Sequence, residues 1–141
     1  MQLRARFAEE GLAYNPPPEV VPNTMGALRV TELARERGLH AQVHDRLMDA
    51  YWTEARNIGD PDELRALVIE AGLDAGDVDE VLAGDVYRDR VQALTAQAVS
   101  IGATGVPAFL LDRRLLVLGA QPRGVFEQAF AQLSAQPDRE P

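Results

Sequence analysis

The chain has 141 residues, 46% of them hydrophobic, and a net charge of -8, which suits one folded domain with a real core and not a disordered segment. The excess of carboxylates argues against nucleic acid and anionic membranes as partners, since both are bound through clustered cations. All fourteen basic side chains are arginine and none of the residues is cysteine, which excludes a Schiff-base lysine, a thiolate metal site, a disulfide and a cysteine nucleophile in this chain.

No basic start followed by an apolar core marks a signal peptide, because Met1 to Glu10 is charged throughout. No run approaches the roughly 20 apolar residues of a membrane span, so a cytoplasmic location is expected. Residues 2–10 read as a short helix with Leu3 and Phe7 on one face, stopped by Gly11. Asn15-Pro16-Pro17-Pro18 and Pro22 then give an extended, polyproline-like link. Thr24 is read as the N-cap of a helix striped by Ala27, Val30 and Ala34 and ended at Gly38.

The next helix carries Val43, Leu47, Ala50 and Tyr51 at helical spacing, with Met48 and Trp52 beside them. Asp60-Pro61-Asp62-Glu63 is a strong helix start: an Asp cap, proline at the first helical position and acidic residues in the first turn. Leu64, Leu67, Val68 and Ala71 supply its buried face before Gly72. A shorter helix is predicted over Asp77 to Leu82. Asp85 is read as the cap of a long helix with Tyr87, Val91, Leu94, Ala98 and Ile101 along one side, closed by Gly102.

At Thr104-Gly105-Val106-Pro107 the chain switches from helical to extended. Ala108–Leu111 and Leu115–Leu118 flank Asp112-Arg113-Arg114, the pattern of a β-hairpin. Gly119-Ala120-Gln121-Pro122 leads into a last amphipathic helix with Val125, Phe126, Ala129, Phe130 and Leu133. The polar tail from Gln136 to Pro141 is expected to fray.

Among candidate sites, His40 and His44 are four apart and would share a helix face, but no third histidine or cysteine completes a metal set. They read as surface. The acidic residues Asp74, Asp77, Asp79, Glu80 and Asp85 lack the spacing of a calcium loop and read as caps and a solvated face. Tyr51 and Trp52 point in different directions on one helix, so one belongs to the core and the other is free to line a cleft. Gly105-Val106-Pro107 carries the functional reading. A proline at a strand's first residue is tolerated there, and in the cis form it would leave the Val106 backbone facing a cleft, where an extended peptide or a thiol tripeptide could pair as an added strand.

The residues Leu47-Met48-Asp49-Ala50-Tyr51-Trp52-Thr53-Glu54, Asn57-Ile58-Gly59-Asp60, Ala71-Gly72-Leu73-Asp74, Gly105-Val106-Pro107-Ala108-Phe109 and Gly119-Ala120-Gln121-Pro122 together resemble the DsbA family of thioredoxin-like proteins. The likeness is to the branch of FrnE-type proteins and 2-hydroxychromene-2-carboxylate isomerases, and it runs from about Leu3 to Leu133.

The resemblance implies an α/β, mostly helical, incomplete thioredoxin-like fold: a helical insertion domain plus a C-terminal β-hairpin and helix. Its expected divisions are a short helix and linker over 1–22, the insertion over 23–102, the ββα half over 103–134 and a tail over 135–141. Pro107 would be the cis proline of the family and Val106 the residue whose backbone docks substrate. The family's Cys-x-x-Cys sits on an N-terminal strand–helix unit that this chain is expected to lack, so no catalytic residue is carried over.

The resemblance leaves three functions open. One is a thiol–disulfide oxidoreductase-like protein that docks a thiol or disulfide peptide without performing exchange. Another is a relative of the glutathione-dependent isomerases, with glutathione as the bound thiol. The third is a non-catalytic association module or truncated product. A two-stranded sheet is marginal by itself, and these strands are apolar on both faces. Two copies are therefore expected to form a homodimer through the C-terminal hairpin, unless a partner supplies the missing strands.

Overall fold

A computed structural model of the chain describes residues 2–15 and 21–135, with side chains from Arg4 onward. The polyproline-like link at 16–18, the side chain of Leu3 and the tail over 136–141 lie outside the described residues. The elements in order are α1 (Gln2–Glu9), α2 (Met25–Glu36), α3 (His40–Trp52), α4 (Pro61–Glu70), α5 (Ala75–Ala83), α6 (Arg88–Ser100), β1 (Ala108–Leu111), β2 (Leu115–Leu118) and α7 (Arg123–Ala135). The fold is mostly helical, with one small antiparallel sheet among the described residues. Two compact units divide at 91/92: Met1–Val91 and Gln92–Pro141.

In the first unit, helices α2 to α5 enclose a core whose largest fully buried side chains are Leu64, Leu67, Val30, Val43, Val68 and Val78. Each helix contributes residues three or four apart, the spacing that keeps one apolar face inward. Packing is close enough to restrict side-chain size. A Cβ on Gly26 would lie 3.2 Å from Leu64 Cδ2, between α2 and α4, and one on Gly59 would lie 2.9 Å from the backbone nitrogen of Asn23.

Helix ends follow the sequence in most places. Asp60 caps α4 as expected, accepting from the N–H groups of Asp62 and Glu63, both at 3.0 Å. At the ends of α1, α2, α4 and α6 the chain closes with one pattern. For α2, the Gly38 N–H bonds Arg35 O at 3.3 Å and the Leu39 N–H bonds Ala34 O at 2.8 Å. This paired closure needs a left-handed residue, and Gly38 supplies it at φ +70°.

Three starts differ from the sequence expectation. The Thr24 side chain makes no cap bond, and Asn23 Oδ1 instead accepts from the Met25 N–H at 3.0 Å. Helix α5 begins at Ala75, not at Asp77, because Asp74 accepts from Gly76 N at 2.8 Å and Asp77 N at 3.1 Å. Asp85 does not cap α6. Tyr87 turns to φ +65°, and the helix starts at Arg88, whose Nε lies 2.5 Å from Asp85 Oδ1.

In the second unit, β1 and β2 pair with Ala108 opposite Leu118, Phe109 opposite Val117, Leu110 opposite Leu116 and Leu111 opposite Leu115. Asp112 and Arg113 both adopt positive φ, 50° and 53°, and the Arg114 N–H bonds Leu111 O at 3.0 Å. Two positive φ values in the centre of a turn match the right-handed twist of the strands it joins. Helix α7 covers one face of the hairpin, with Phe126 edge-on to Phe109 at 5.0 Å between ring centres.

Burial in this unit is sparse. Among its described hydrophobic residues only Val117 and Ala129 are buried, whereas Leu94, Ile101, Phe109, Leu110, Leu118, Val125 and Phe130 remain exposed. The predicted apolar faces of α6 and α7 exist as spacing, but the described residues of this unit cover them only in part.

Candidate substrate-docking site

The Gly105-Val106-Pro107 segment is held from both ends. On its N-terminal side Gly102 closes α6, and a Cβ there would lie 3.5 Å from Leu116 Cδ2, so the helix end sits against the hairpin. On its C-terminal side the Gly119 N–H donates to Pro107 O at 2.8 Å. This bond joins the two sequence signatures Gly105–Phe109 and Gly119–Pro122 directly. Gln121 then turns back, its Nε2 donating to Leu118 O at 2.7 Å and its N–H to Gly119 O at 3.0 Å.

Between these anchors the segment is bare. Val106 is 95% exposed, and a Cβ on Gly105 would meet nothing within 4 Å. The Val106–Pro107 peptide bond is cis. Beside the segment lies a hollow of about 490 Å³ lined by Ala98 and Ile101 of α6, residues 103–106, and Ala108, Leu110 and Leu116 of the hairpin. Thr104 brings its one polar side chain. Such a site offers backbone hydrogen-bonding groups beside apolar wall, the combination that recognises an extended peptide through its main chain and one apolar side chain. Its lining contains no carboxylate, imidazole or thiol.

Sequence reasoning reached Gly105, Val106 and Pro107 but not the hollow's walls. Leu116 has no local signal, because only the pairing register places it beside Leu110. Ala98 and Ile101 carried a signal, three apart on one helix, which read as core because helix stripes usually pack inward.

Tyr51 and Trp52 belong to the first unit. Tyr51 packs against the core, and Trp52 lies within 5.8 Å of Phe7 and 6.1 Å of Tyr14, measured between ring centres. Its carbonyl accepts the Asn15 N–H at 3.0 Å. Trp52 thereby fastens the N-terminal segment to α3. His40 and His44 stack at 5.9 Å on an exposed face, with the Arg35 guanidinium 3.1 Å from His40 Nε2. A fixed cation this close to the ring disfavours a divalent ion beside it. No cluster of three or more His, Cys, Asp or Glu suited to a metal occurs among the described residues, and no described helix is long and apolar enough to cross a membrane.

A family model for the DSBA-like thioredoxin domain matches residues 1–131. The chain belongs to the DSBA-like thioredoxin family. It is similar to a probable DsbA oxidoreductase, SCO1869 from Streptomyces coelicolor, whose crystal structure superposes with a TM-score of 0.87 at 39% identity over 99% of this chain and 61% of that one. It is also 32% identical over 111 residues to the uncharacterized protein YwbO of Bacillus subtilis (strain 168), covering 78% of this chain and 55% of YwbO. The chain thus spans a little over half the length of these two relatives. The mostly helical fold with one hairpin is therefore a DsbA-like thioredoxin fold in part, as the sequence suggested.

Several of the family-like motifs have structural work in this chain. In Asn57-Ile58-Gly59-Asp60, Asn57 Oδ1 accepts the Gly59 N–H at 3.1 Å, Gly59 leaves room for Asn23, and Asp60 caps α4. In Leu47–Glu54, the Glu54 carboxylate is gripped by both Arg46 terminal nitrogens, at 2.8 and 3.1 Å. These are corner-building contacts, not reaction chemistry.

Proposed function

We propose that this chain is the substrate-docking portion of a DsbA-family, FrnE-like thiol–disulfide oxidoreductase, with Gly105, Val106 and Pro107 as the docking segment. The bare Val106 at the rim of the apolar hollow carries this reading. An extended thiol or disulfide peptide would pair with the Val106 backbone and set one apolar side chain against Ile101 and Leu116. Exchange itself requires a thiolate to attack a disulfide sulfur, and these 141 residues include no cysteine. Docking without exchange follows.

Two measurements test the reading. Added to insulin and dithiothreitol, the chain should not accelerate reductive precipitation; acceleration by the cysteine-free chain would refute it. A disulfide-bearing peptide with apolar flanks should shift the amide resonances of residues 103–110, and Val106→Glu should abolish that shift while changing stability by less than about 0.5 kcal/mol, the usual range for an exposed position. Shifts confined to other residues would remove the docking role.

The absence of cysteine favours one second reading, in which the chain is related to the glutathione-dependent isomerases and the reactive thiol belongs to bound glutathione. Under that reading glutathione alone perturbs Gly105–Pro107 and the longer peptide does not.

A further inference from the structure

The turn between β2 and α7 is closed by one glutamine side chain. Gln121 precedes α7, but its carboxamide folds back toward the hairpin. Its Nε2 donates to Leu118 O at 2.7 Å, and its own N–H donates to Gly119 O at 3.0 Å. Gly119 lies inside this loop at φ +78°, where a Cβ would stand 3.4 Å from Gln121 Nε2. Glycine therefore supplies both the left-handed backbone and the room for the carboxamide. The Leu118–Gly119 peptide is a trans plane whose C=O and N–H point in opposite directions. Its carbonyl takes the Gln121 bond, and its N–H, on the far side, donates to Pro107 O at 2.8 Å. Two bonds on one peptide polarise each other, and holding one end of the plane aims the other.

We infer that Gln121 is a positioning residue for the docking segment: its carboxamide orients the Leu118–Gly119 peptide, and that peptide holds Pro107 in place beside Val106. Proline has no N–H, so its carbonyl is the one main-chain group by which Pro107 can be tied to the hairpin. Val106 is 95% exposed and a Cβ on Gly105 would meet nothing within 4 Å, so packing does little to place either residue. On the strand side their direction is set by the tether at Pro107, and Gln121 sets the donor of that tether. Farther along the hairpin the ladder and the Phe109–Phe126 contact fix the backbone. At its mouth a side chain three residues beyond Leu118 does so. The hold on Pro107 stands on geometry alone, and its consequence for substrate rests on the docking role proposed for Gly105–Pro107.

The experiment uses the full chain. Gln121→Met keeps the side-chain length and removes the donor. The Gly119 amide should then exchange with deuterium about two- to tenfold faster, the worth of one hydrogen bond. The Arg114 N–H, bonded to Leu111 O at the other end of the hairpin, is the internal control and should keep its rate. A merely structural role would quicken both. The amide resonances of Gly105, Val106 and Ala108 should shift in the same variant, and a disulfide-bearing peptide should bind it about two- to tenfold more weakly. Gln121→Lys, which retains a donor, should restore the wild-type values. Circular dichroism identifies a variant that fails to fold. The wild type then decides the matter through the scalar coupling across the Gly119 N–H to Pro107 O bond, whose absence overturns the inference. Equal quickening of Gly119 and Arg114 overturns it too, as do unchanged Gly119 exchange and unchanged resonances at 105–108 in Gln121→Met. If the wild type binds no peptide the docking role fails, and Gly119 exchange still decides whether Gln121 holds Pro107.

Discussion

The guanidinium of Arg29, buried to 4% exposure, donates to three backbone carbonyls: Val81 O, Gly84 O at 2.6 Å and Val86 O at 2.8 Å. Helix carbonyls at a C-terminus lack intrahelical donors and carry negative partial charge, so this cation finishes α5 and fixes the turn after it. Arg29→Ala leaves those carbonyls without a partner, and at about 1–3 kcal/mol per buried unsatisfied group we expect a loss of about 3 kcal/mol in urea unfolding. A loss below about 1 kcal/mol would show that the turn rebuilds. Beside it, Tyr87 at φ +65° donates its hydroxyl to Glu36 Oε2 at 2.6 Å, and Arg90 Nη1 reaches Glu36 Oε1 at 3.1 Å. The Glu36 hydrogen bond, aided by desolvation, holds the Tyr87 phenol above its usual 10.0. A raised folded pKa means the phenol's contribution is complete below the unfolded value and is lost as pH climbs through the folded one. Alkaline titration by ultraviolet absorbance should therefore show a step above the usual 10.0 that is lost in Tyr87→Phe, and Glu36→Gln should lower that step.

At the level of elements, the hairpin turn and the α3–α4 corner illustrate opposite demands on the backbone. Arg113 occupies φ +53° in the hairpin turn, a conformation that costs an L-residue about 1 kcal/mol or more and glycine much less. Arg113→Gly should stabilise the protein by up to about 1 kcal/mol, read from the denaturation midpoint, and Arg113→Val should destabilise it. Gly59 is constrained by space. Its missing Cβ would meet the Asn23 nitrogen at 2.9 Å and Pro22 Cβ at 2.9 Å, so Gly59→Ala forces the backbone apart and should cost about 1–3 kcal/mol. That loss in stability, with peptide docking retained, would confirm that the Asn57–Asp60 motif is architectural.

For the whole molecule, covering is uneven. Helices α2 to α5 share a closed core, whereas α6, the hairpin and α7 expose most of their large side chains. Regions with few buried apolar contacts open locally at lower free energy. Amides of α7 should accordingly exchange with deuterium orders of magnitude faster than those of α2 to α5; equal rates would mean the two units unfold together.

The amino-acid sequence by itself determined the helical periods, the Asp60 cap, the glycine stops and the hairpin, because each follows from chemistry within a few residues. It also determined that no thiol chemistry resides in this chain. It misplaced the starts of α5 and α6, where Asp74 and the left-handed Tyr87 outcompeted the residues nearest the apolar stripes. Tertiary structure alone decided that Arg29 would serve α5, 52 residues away in the case of Val81, and that Leu116 would wall the hollow beside Val106. It also decided that Gln121 takes the outward carbonyl of Leu118, which it reaches only after the chain turns at Gly119. A stripe of apolar residues states that a face can be buried; whether anything covers it depends on neighbours that local sequence does not encode.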